Sequence, residues 1–419
     1  MFPNLFAPFR RDLQEYTKKQ KLFSLFVLIS IFLIMAEYGM SAPVSSSLFI
    51  FYFSAHSLPY VWLFTVPLNF LVVAVYNKLL PLYGPKKTFL FTLLVVSLIN
   101  FITAFFVADF PYLIFFQYAF RDVYILLLFK QIWSMIHATM DVSKAKYLYS
   151  LPFIVGSIGA ISGSLIPAYL AFSFGSSKLF FLTTFIYSFL SLFYKMASKR
   201  GNPTIDKELF SQKTTGGFTL IKNSKYLVFI LLLVMFMQIT VALIYYEFNL
   251  FLDVSFSNSD LRTQYMGKIH FFISSTSLFM QVFVSALLIR FLGLKRSHLL
   301  VPITLFCNSL LFLFKPTLSS ISYLYASVKS LDFSFFCLIR ERLYVPLSID
   351  EKYRAKAIID VFAYRSSKAF ASLFLIFIQN MTGLKIILLI SIMSMIIYLF
   401  WIKIVLRLFK KHKKLVEDN

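Results

Sequence analysis

Long apolar runs dominate this chain and restrict what it can fold into. Runs of about twenty residues with few charges alternate with short polar clusters. A helix of about twenty residues spans the hydrocarbon core of a bilayer, because each residue adds about 1.5 Å to its length. A chain inside hydrocarbon must also satisfy its backbone hydrogen bonds internally. The sequence therefore predicts an all-α integral membrane protein.

We number twelve predicted spans in chain order. They cover residues 22–40, 59–80, 88–107, 112–137, 147–172, 178–196, 226–250, 266–291, 297–315, 321–346, 361–380 and 384–409. A polar stretch after span 6 is the one long connection. The predicted organisation is an amphipathic N-terminal segment at 1–21, a first six-helix bundle at 22–196, a central cytoplasmic connection at 197–225, a second six-helix bundle at 226–409 and a cytoplasmic tail at 410–419.

The formal net charge of +23 is interpreted as a consequence of membrane topology. Basic residues collect in cytoplasmic loops because they resist translocation. The basic clusters at 10–21, 86–87, 144–146, 295–296 and 352–356 alternate onto one side with the tail, whereas the predicted loop at 41–58 has no Lys or Arg. We therefore predict that both termini are cytoplasmic, and we expect no nucleic-acid partner.

The charged residues reveal an internal duplication. The interval is about 210 residues, as in the glutamates of spans 1 and 7 (247 − 37 = 210). The matched pairs are Glu37 and Glu247, Asp122 and Asp332, Lys130 and Arg340, and, with an offset of 209, Gly84 and Gly293. Six spans repeated in parallel are the architecture of the major facilitator transporters. The predicted fold is therefore about twelve transmembrane helices in two six-helix repeats of the major facilitator type.

Ionisable residues inside spans 4 and 10 are candidates for function. A lone charge at membrane depth costs several kcal/mol, so such residues bind something, pair with each other or reach water. Asp122 and Lys130 lie in span 4, and Asp332 and Arg340 lie in span 10. We predict that the matched residues converge on a central cavity. The alternatives are interhelical ion pairs and cations that extend to the membrane interface.

Glu37 and Glu247 are predicted near the outer ends of spans 1 and 7, where each carboxylate would be partly hydrated. A carboxylate there could couple transport to protons, or it could pair with a cation and hold an outer gate shut. Glu37, Asp122, Glu247 and Asp332 are therefore assigned to coupling or gating. Small residues in span 5 are predicted to allow close helix packing, namely Gly156, Gly159 and Gly163.

Motifs for catalysis and metal binding are absent from the sequence. The five histidines show no i, i+4 pairing, and neither Cys307 nor Cys337 has a metal-ligand neighbour. The motifs GxxxxGK[ST], GxSxG and HExxH do not occur. We therefore predict no enzyme activity, no metal site and no cofactor. A membrane enzyme or receptor without transport activity is the least favoured alternative.

Several motifs resemble those of the nucleotide transporters exemplified by the ATP/ADP translocases of plastids and obligate intracellular bacteria. In the second half they are Tyr344-x-Pro346-Leu347, Lys356-Ala357-x-x-Asp360 and Arg365-x-x-Lys368. They are similar to that family's Y-x-P-L, K-A-x-I-D and R-x-G-K motifs. Weaker similarities are found at Trp133-Ser134, Ala145-Lys146, Tyr149 and Tyr265-Met266-Gly267.

The chain also departs from that family's pattern. The lysine that precedes a Trp in the family's second span has no counterpart near residues 61–67. The glutamate of its seventh span has only a displaced analogue in Glu247. Ser367, Phe370 and Ala371 replace the glycines of its R-x-G-K-x-G-G motif.

The resemblance implies a secondary transporter that exchanges ATP for ADP, or imports another nucleotide, by alternating access across a bacterial inner membrane or an organelle envelope, and we favour the bacterial inner membrane. The motif contributes Arg365 and Lys368 and the repeat contributes Lys130 and Arg340, and we predict that these four cations bind substrate. These cations are also expected to outnumber nearby carboxylates, so a nucleotide or another phosphorylated anion would compensate them. The expected partners are this substrate and the lipid bilayer, with the protein a monomer. The alternative function is a proton-coupled major facilitator carrier for another small solute.

Overall fold

A computed structural model of the chain describes residues 16–140, 146–201, 217–347, 351, 355–379 and 384–417. Helices account for the secondary structure within these ranges, and no strand occurs in them. Nine of the described helical segments are long and apolar enough to cross a membrane. Two of them, Ala55–Phe106 and Ser259–Phe314, are 52 and 56 residues long, and each contains two predicted spans. The chain is therefore a multi-pass membrane protein.

The helices follow one another with short connections. In the first half they are α1 (Lys18–Phe53), α2 (Leu58–Phe106), α3 (Tyr112–His137), α4 (Lys146–Phe174) and α5 (Leu179–Arg200). In the second half they are α6 (Gly217–Asn223), α7 (Lys225–Ser255), α8 (Ser259–Phe279), α9 (Ser285–Phe314), α10 (Leu318–Leu331), α11 (Cys337–Leu343), α12 (Lys356–Ile378) and α13 (Leu384–Glu417). Two π-helical turns, Met280–Val284 and Asp332–Phe336, join α8 to α9 and α10 to α11.

The predicted loop at 41–58 is wrong, because α1 continues to Phe53. This serine-rich stretch is helical and largely buried. Its hydroxyls find acceptors elsewhere in the fold: Ser45 donates to Gln117 at 2.7 Å, and Ser47 donates to the Ser259 carbonyl at 2.8 Å. Buried hydroxyls are stable where such partners exist. The low hydrophobicity of this stretch favoured a loop in the sequence analysis. Tertiary hydrogen bonds offset the free-energy cost of burying its hydroxyls.

Two glycines interrupt long helices at equivalent positions of the repeat. Gly84 in α2 has φ 74° and ψ 167°, and Gly293 in α9 has φ 72° and ψ 167°. Residues with a Cβ rarely adopt these angles. The predicted cytoplasmic loops after spans 2 and 8 are therefore sharp glycine breaks between helices that otherwise continue. Their matching geometry is what a duplicated six-helix unit requires.

The chain packs as two compact units. Unit 1 comprises Met1–Tyr52, Pro67–Phe210 and Asn258–Ser275, and unit 2 comprises Phe53–Val66, Ser211–Ser257 and Thr276–Asn419. Each unit therefore contains a short segment from the other half of the sequence. The spans predict domain boundaries at 22–196 and 226–409. These boundaries follow sequence order, whereas the two units are defined by packing, so they stay a prediction. The segments at 1–15 and 202–216 lie outside the described residues.

Close helix packing in unit 1 depends on α4. A Cβ at Gly159 would collide with the carbonyl oxygen of Phe32, and a Cβ at Gly163 would collide with that of Ala36. The packing role predicted for these glycines is confirmed, because α4 approaches α1 at backbone distance. In unit 2 the central helix is α7, which α10, α12 and α13 contact.

Candidate functional site

Glu37 is enclosed in the interior of unit 1. The hydroxyl of Tyr124 in α3 donates to its Oε1 at 2.9 Å, and Tyr187 and Arg121 border the same carboxylate. The side chain is completely buried, and α1 extends well beyond it to Phe53. The partly hydrated position expected for Glu37 is therefore wrong. The prediction ended span 1 too early and so placed its glutamate at the end of the helix.

Glu247 occupies the equivalent place in unit 2. It is 1% exposed, and the hydroxyl of Ser391 in α13 donates to it at 2.9 Å. Tyr398 lies beside it and is hydrogen-bonded to Ser309 at 3.3 Å, just as Tyr187 beside Glu37 accepts a bond from Asn100 at 3.4 Å. The partial hydration expected for Glu247 is also wrong. Both repeats bury a carboxylate among hydroxyl groups.

Asp122 belongs to an ion pair within α3. Its Oδ1 lies 3.1 Å from Nη2 of Arg121, and its side chain is 25% exposed. Arg121 is buried, donates to the Ala42 carbonyl at 3.0 Å and lies 4.7 Å from the ring centroid of Tyr118. Arg121 thus links α3 to α1 and compensates the charge of Asp122.

Asp332 is buried at the start of the π-helical turn between α10 and α11. Gln238 of α7 donates to both of its carboxylate oxygens, at 3.0 and 3.2 Å. Lys329 and Arg340 are its cationic neighbours. Asp332 therefore joins span 10 to span 7 inside unit 2. Its predicted convergence with Asp122 on one cavity stays a prediction.

Arg340 lies in a cluster of four charged side chains. Its Nη2 is 3.6 Å from Oε1 of Glu341 and 3.6 Å from Oδ1 of Asp360, while Lys356 Nζ is 2.5 Å from Oε2 of Glu341. Among the described residues, this cluster consists of two cations and two carboxylates. Arg340 is thus flanked by Glu341 of its own helix and Asp360 of α12. The excess of positive charge expected over Lys130, Arg340, Arg365 and Lys368 together stays a prediction.

The motif that resembles the nucleotide transporters converges on this cluster. Tyr344, Lys356 and Asp360 come from that motif, and the Lys356 ammonium lies 5.5 Å from the Tyr344 ring centroid. The sequence did not identify Glu341 and Asp360 as partners of these cations. One signal was available, because Lys356 and Asp360 are four residues apart and share a helix face.

The other predicted phosphate-binding cations lie elsewhere. Arg365 and Lys368 are partly exposed on α12, and Lys368 Nζ lies 5.4 Å from the ring centroid of Trp62. Trp62 is buried and stacks on Tyr245 at 6.1 Å. Lys130 is exposed on α3 in unit 1. Unit 2 therefore holds three of the four cations.

Metal ligands are not grouped in the part of the chain that the structure describes. Within it, no three His, Cys, Asp or Glu side chains are arranged to hold a metal ion. The buried His298 instead places its Nε2 3.2 Å from the Ile339 carbonyl oxygen. This histidine helps to pack α9 against α11.

Comparison with known sequences adds a family match. The family model described as TLC ATP/ADP transporter matches residues 192–412, more than half of the chain. ADP,ATP carrier protein 1 of Chlamydia trachomatis is 26% identical over 176 residues, which are 37% of this chain and 33% of that protein. The protein of the same name in Chlamydia pneumoniae is 24% identical over 172 residues, 36% of this chain and 33% of that protein. The alignments thus span about a third of these relatives.

Comparison with solved structures identifies the fold. An auto-inhibited POT family peptide transporter superposes with a TM-score of 0.67 at 9% identity, covering 94% of this chain and 96% of that one. A mutant of the nucleoside transporter NupG gives a TM-score of 0.64 at 15% identity, covering 94% and 99%. At such identities the likeness shows the fold alone. The predicted all-α fold of the major facilitator type, with about twelve transmembrane helices, is confirmed.

Proposed function

Because the chain belongs to the TLC ATP/ADP transporter family, we propose that it is a secondary transporter that exchanges or imports nucleotides by alternating access. The observation that carries this proposal is the family match over residues 192–412, which includes Arg340, Arg365 and Lys368. The family consists of transporters rather than enzymes. The Chlamydia relatives, named as ADP,ATP carriers, support ATP and ADP as the first substrates to test.

Substrate phosphates would be bound by Lys130, Arg365 and Lys368, and by Arg340 once its carboxylate partners move. Cation–phosphate hydrogen bonds are strong because both groups are charged, and a low-dielectric site strengthens them further. The exposure of Lys130 and the partial exposure of Arg365 and Lys368 support direct contact with substrate. The contact between Lys368 and the Trp62 ring would hold the ammonium in place in the absence of substrate.

We further propose that the protein acts as a monomer in a bacterial inner membrane, with both termini cytoplasmic. The basic clusters in alternate connections support this orientation. Cysteine labelling tests the orientation: a thiol at Ser257 should react from outside intact cells, and one at Lys295 should not.

The test of transport is uptake of labelled ATP by proteoliposomes loaded with ADP. Wild-type protein should exchange the two nucleotides, and Lys368→Gln should lower exchange about tenfold or more, because one charged hydrogen bond contributes roughly 1.5–3 kcal/mol. Lys385→Gln is the matched control, since it removes the same charge from an exposed position at the start of α13. Absence of exchange by wild type, or full activity of Lys368→Gln, would overturn the proposal.

The second candidate function is a proton-coupled carrier for another solute. The buried carboxylates Glu37 and Glu247, each enclosed by hydroxyl groups, favour this alternative. In such a carrier Glu247→Gln would abolish uptake driven by a pH gradient. Nucleotide exchange should instead proceed without any pH gradient in the wild type. Uptake that requires the gradient would favour the proton-coupled carrier.

A further inference from the structure

The Arg340 cluster contains polar atoms whose hydrogen-bonding capacity is unused. Arg340 Nε, the Tyr344 hydroxyl and Asp360 Oδ1 are all buried without a hydrogen-bond partner among the described residues. Arg340 is only 7% exposed and Tyr344 only 4% exposed. Buried polar atoms in folded proteins are nearly always paired. Asp360 Oδ1 still has an ion-pair partner in Arg340, so the two donors without an acceptor, Arg340 Nε and the Tyr344 hydroxyl, indicate a site that an acceptor group completes.

The distances from Arg340 to its carboxylate partners also indicate an incomplete site. Nη2 of Arg340 is 3.6 Å from both Glu341 and Asp360, beyond the roughly 2.7–2.9 Å of a charged hydrogen bond. The carboxylates therefore compensate the charge of Arg340 without making close hydrogen bonds to it. A guanidinium has five donors in a planar fork, which matches two oxygens of one carboxylate or phosphate group.

Arg340 is more deeply buried than the two carboxylates beside it. The side chain of Arg340 is 9% exposed, whereas those of Glu341 and Asp360 are 40% and 33% exposed. The carboxylates are therefore partly accessible, whereas the arginine is enclosed. An anion that enters the cluster would take the place of the carboxylates beside Arg340, and Arg340 itself would stay in position.

We propose that Glu341 and Asp360 are internal substitutes for substrate phosphate, which compensate Arg340 and Lys356 until a nucleotide displaces them. This inference rests on the proposed nucleotide transport and specifies the ligand as a di- or triphosphate group. Phosphate oxygens would accept hydrogen bonds from Nε and Nη2 of Arg340 and from the Tyr344 hydroxyl. The displaced carboxylates would become hydrated, so occupied and empty states would differ in the pairing of α11 with α12.

The experiment measures nucleotide affinity in full-length purified protein, using ATP, ADP and inorganic pyrophosphate as probes in a thermal-stabilisation titration. Asp360→Asn removes a competing carboxylate but keeps its shape, so all three probes should bind about tenfold tighter, a change of about 1.4 kcal/mol. Asp360→Glu should restore the wild-type affinity. Asp109→Asn is the matched control, because Asp109 is an exposed carboxylate between α2 and α3.

Glu341→Gln provides a second test on a more exposed side chain and covers the case in which Asp360→Asn does not fold. It should also tighten binding of the three probes. Unchanged or weaker binding in every foldable cluster variant, with normal binding in wild type, would overturn this inference and leave the proposed function intact. If wild type itself binds none of the probes, the proposed function fails and this inference fails with it.

Discussion

Spans 4 and 10 carry matched charges but place them in different surroundings. In span 4, Asp122 is a quarter exposed and pairs with the residue before it, and Lys130 is exposed. In span 10, Asp332 is 4% exposed and Arg340 is 7% exposed, and partners on other helices hold both. A duplicated pattern of charge has therefore been kept while the environment of each charge has changed.

The sequence explains why the charges of spans 4 and 10 differ in their surroundings, because the residues that could pair with them differ. Leu28 occupies the position equivalent to Gln238, and Ser150 occupies the position equivalent to Asp360. Conversely, Leu331 stands in span 10 where span 4 has Arg121. Asp332 and Arg340 thus have partners on other helices, whereas Asp122 pairs with the preceding residue of its own helix. Arg340 therefore lies beside carboxylates of α11 and α12, whereas Lys130 is exposed on α3.

The largest loss of stability should come from removing the Arg340 cation in span 10. Arg340→Met leaves Asp360 and Glu341 without their central cation and should lower the free energy of unfolding by about 3 kcal/mol, because an uncompensated carboxylate remains. Lys130→Met at the matched position should cost less than about 0.5 kcal/mol, since surface charges contribute little. Denaturant unfolding of the purified protein in detergent checks both values. Equal losses in the two variants would contradict the contrast between the spans.

An intermediate effect is expected at Gln238. Gln238→Leu removes both hydrogen bonds to the buried carboxylate of Asp332 and should cost about 2 kcal/mol, because bonds to charged groups contribute roughly 1.5–3 kcal/mol. Combining it with Asp332→Leu should recover part of the loss, since no charge is then left buried. Asp122→Asn, in the more exposed pair, should cost less than about 1 kcal/mol. If Asp122→Asn lowered the free energy of unfolding as much as Gln238→Leu, side-chain exposure would not determine the cost of removing these interactions.

The smallest difference between the halves should appear at the glycine breaks. Gly84→Ala and Gly293→Ala should each cost about 1–2 kcal/mol, because both residues have positive φ. No atom beyond the adjacent residues and the backbone of the same helix lies within 4 Å of a Cβ built at either position, so the cost comes from the backbone conformation. Thermal unfolding should shift by the same amount in the two variants. Unequal shifts would mean that the repeats differ here too.

The sequence alone predicted the fold class because its signals are local. The length of an apolar run, the position of a cation pair and the interval between matched charges can each be read without knowing any contact. The apolar runs therefore predicted about twelve spans, and the repeat predicted the fold class. The same approach failed at 41–58, where Ser45 and Ser47 are stabilised by partners on other helices.

The candidate site was predicted only in part. The sequence identified Arg340 and the motif residues Lys356, Asp360 and Lys368, but it did not indicate which of them pair. Whether a charge is compensated depends on side chains from other helices, and α12 brings Asp360 to Arg340 across twenty positions of sequence. The bilayer sets the length and hydrophobicity of each span one helix at a time, so the sequence determines the number of spans. Tertiary packing alone decided which ionisable residues are buried, paired or exposed, because those properties belong to pairs of helices.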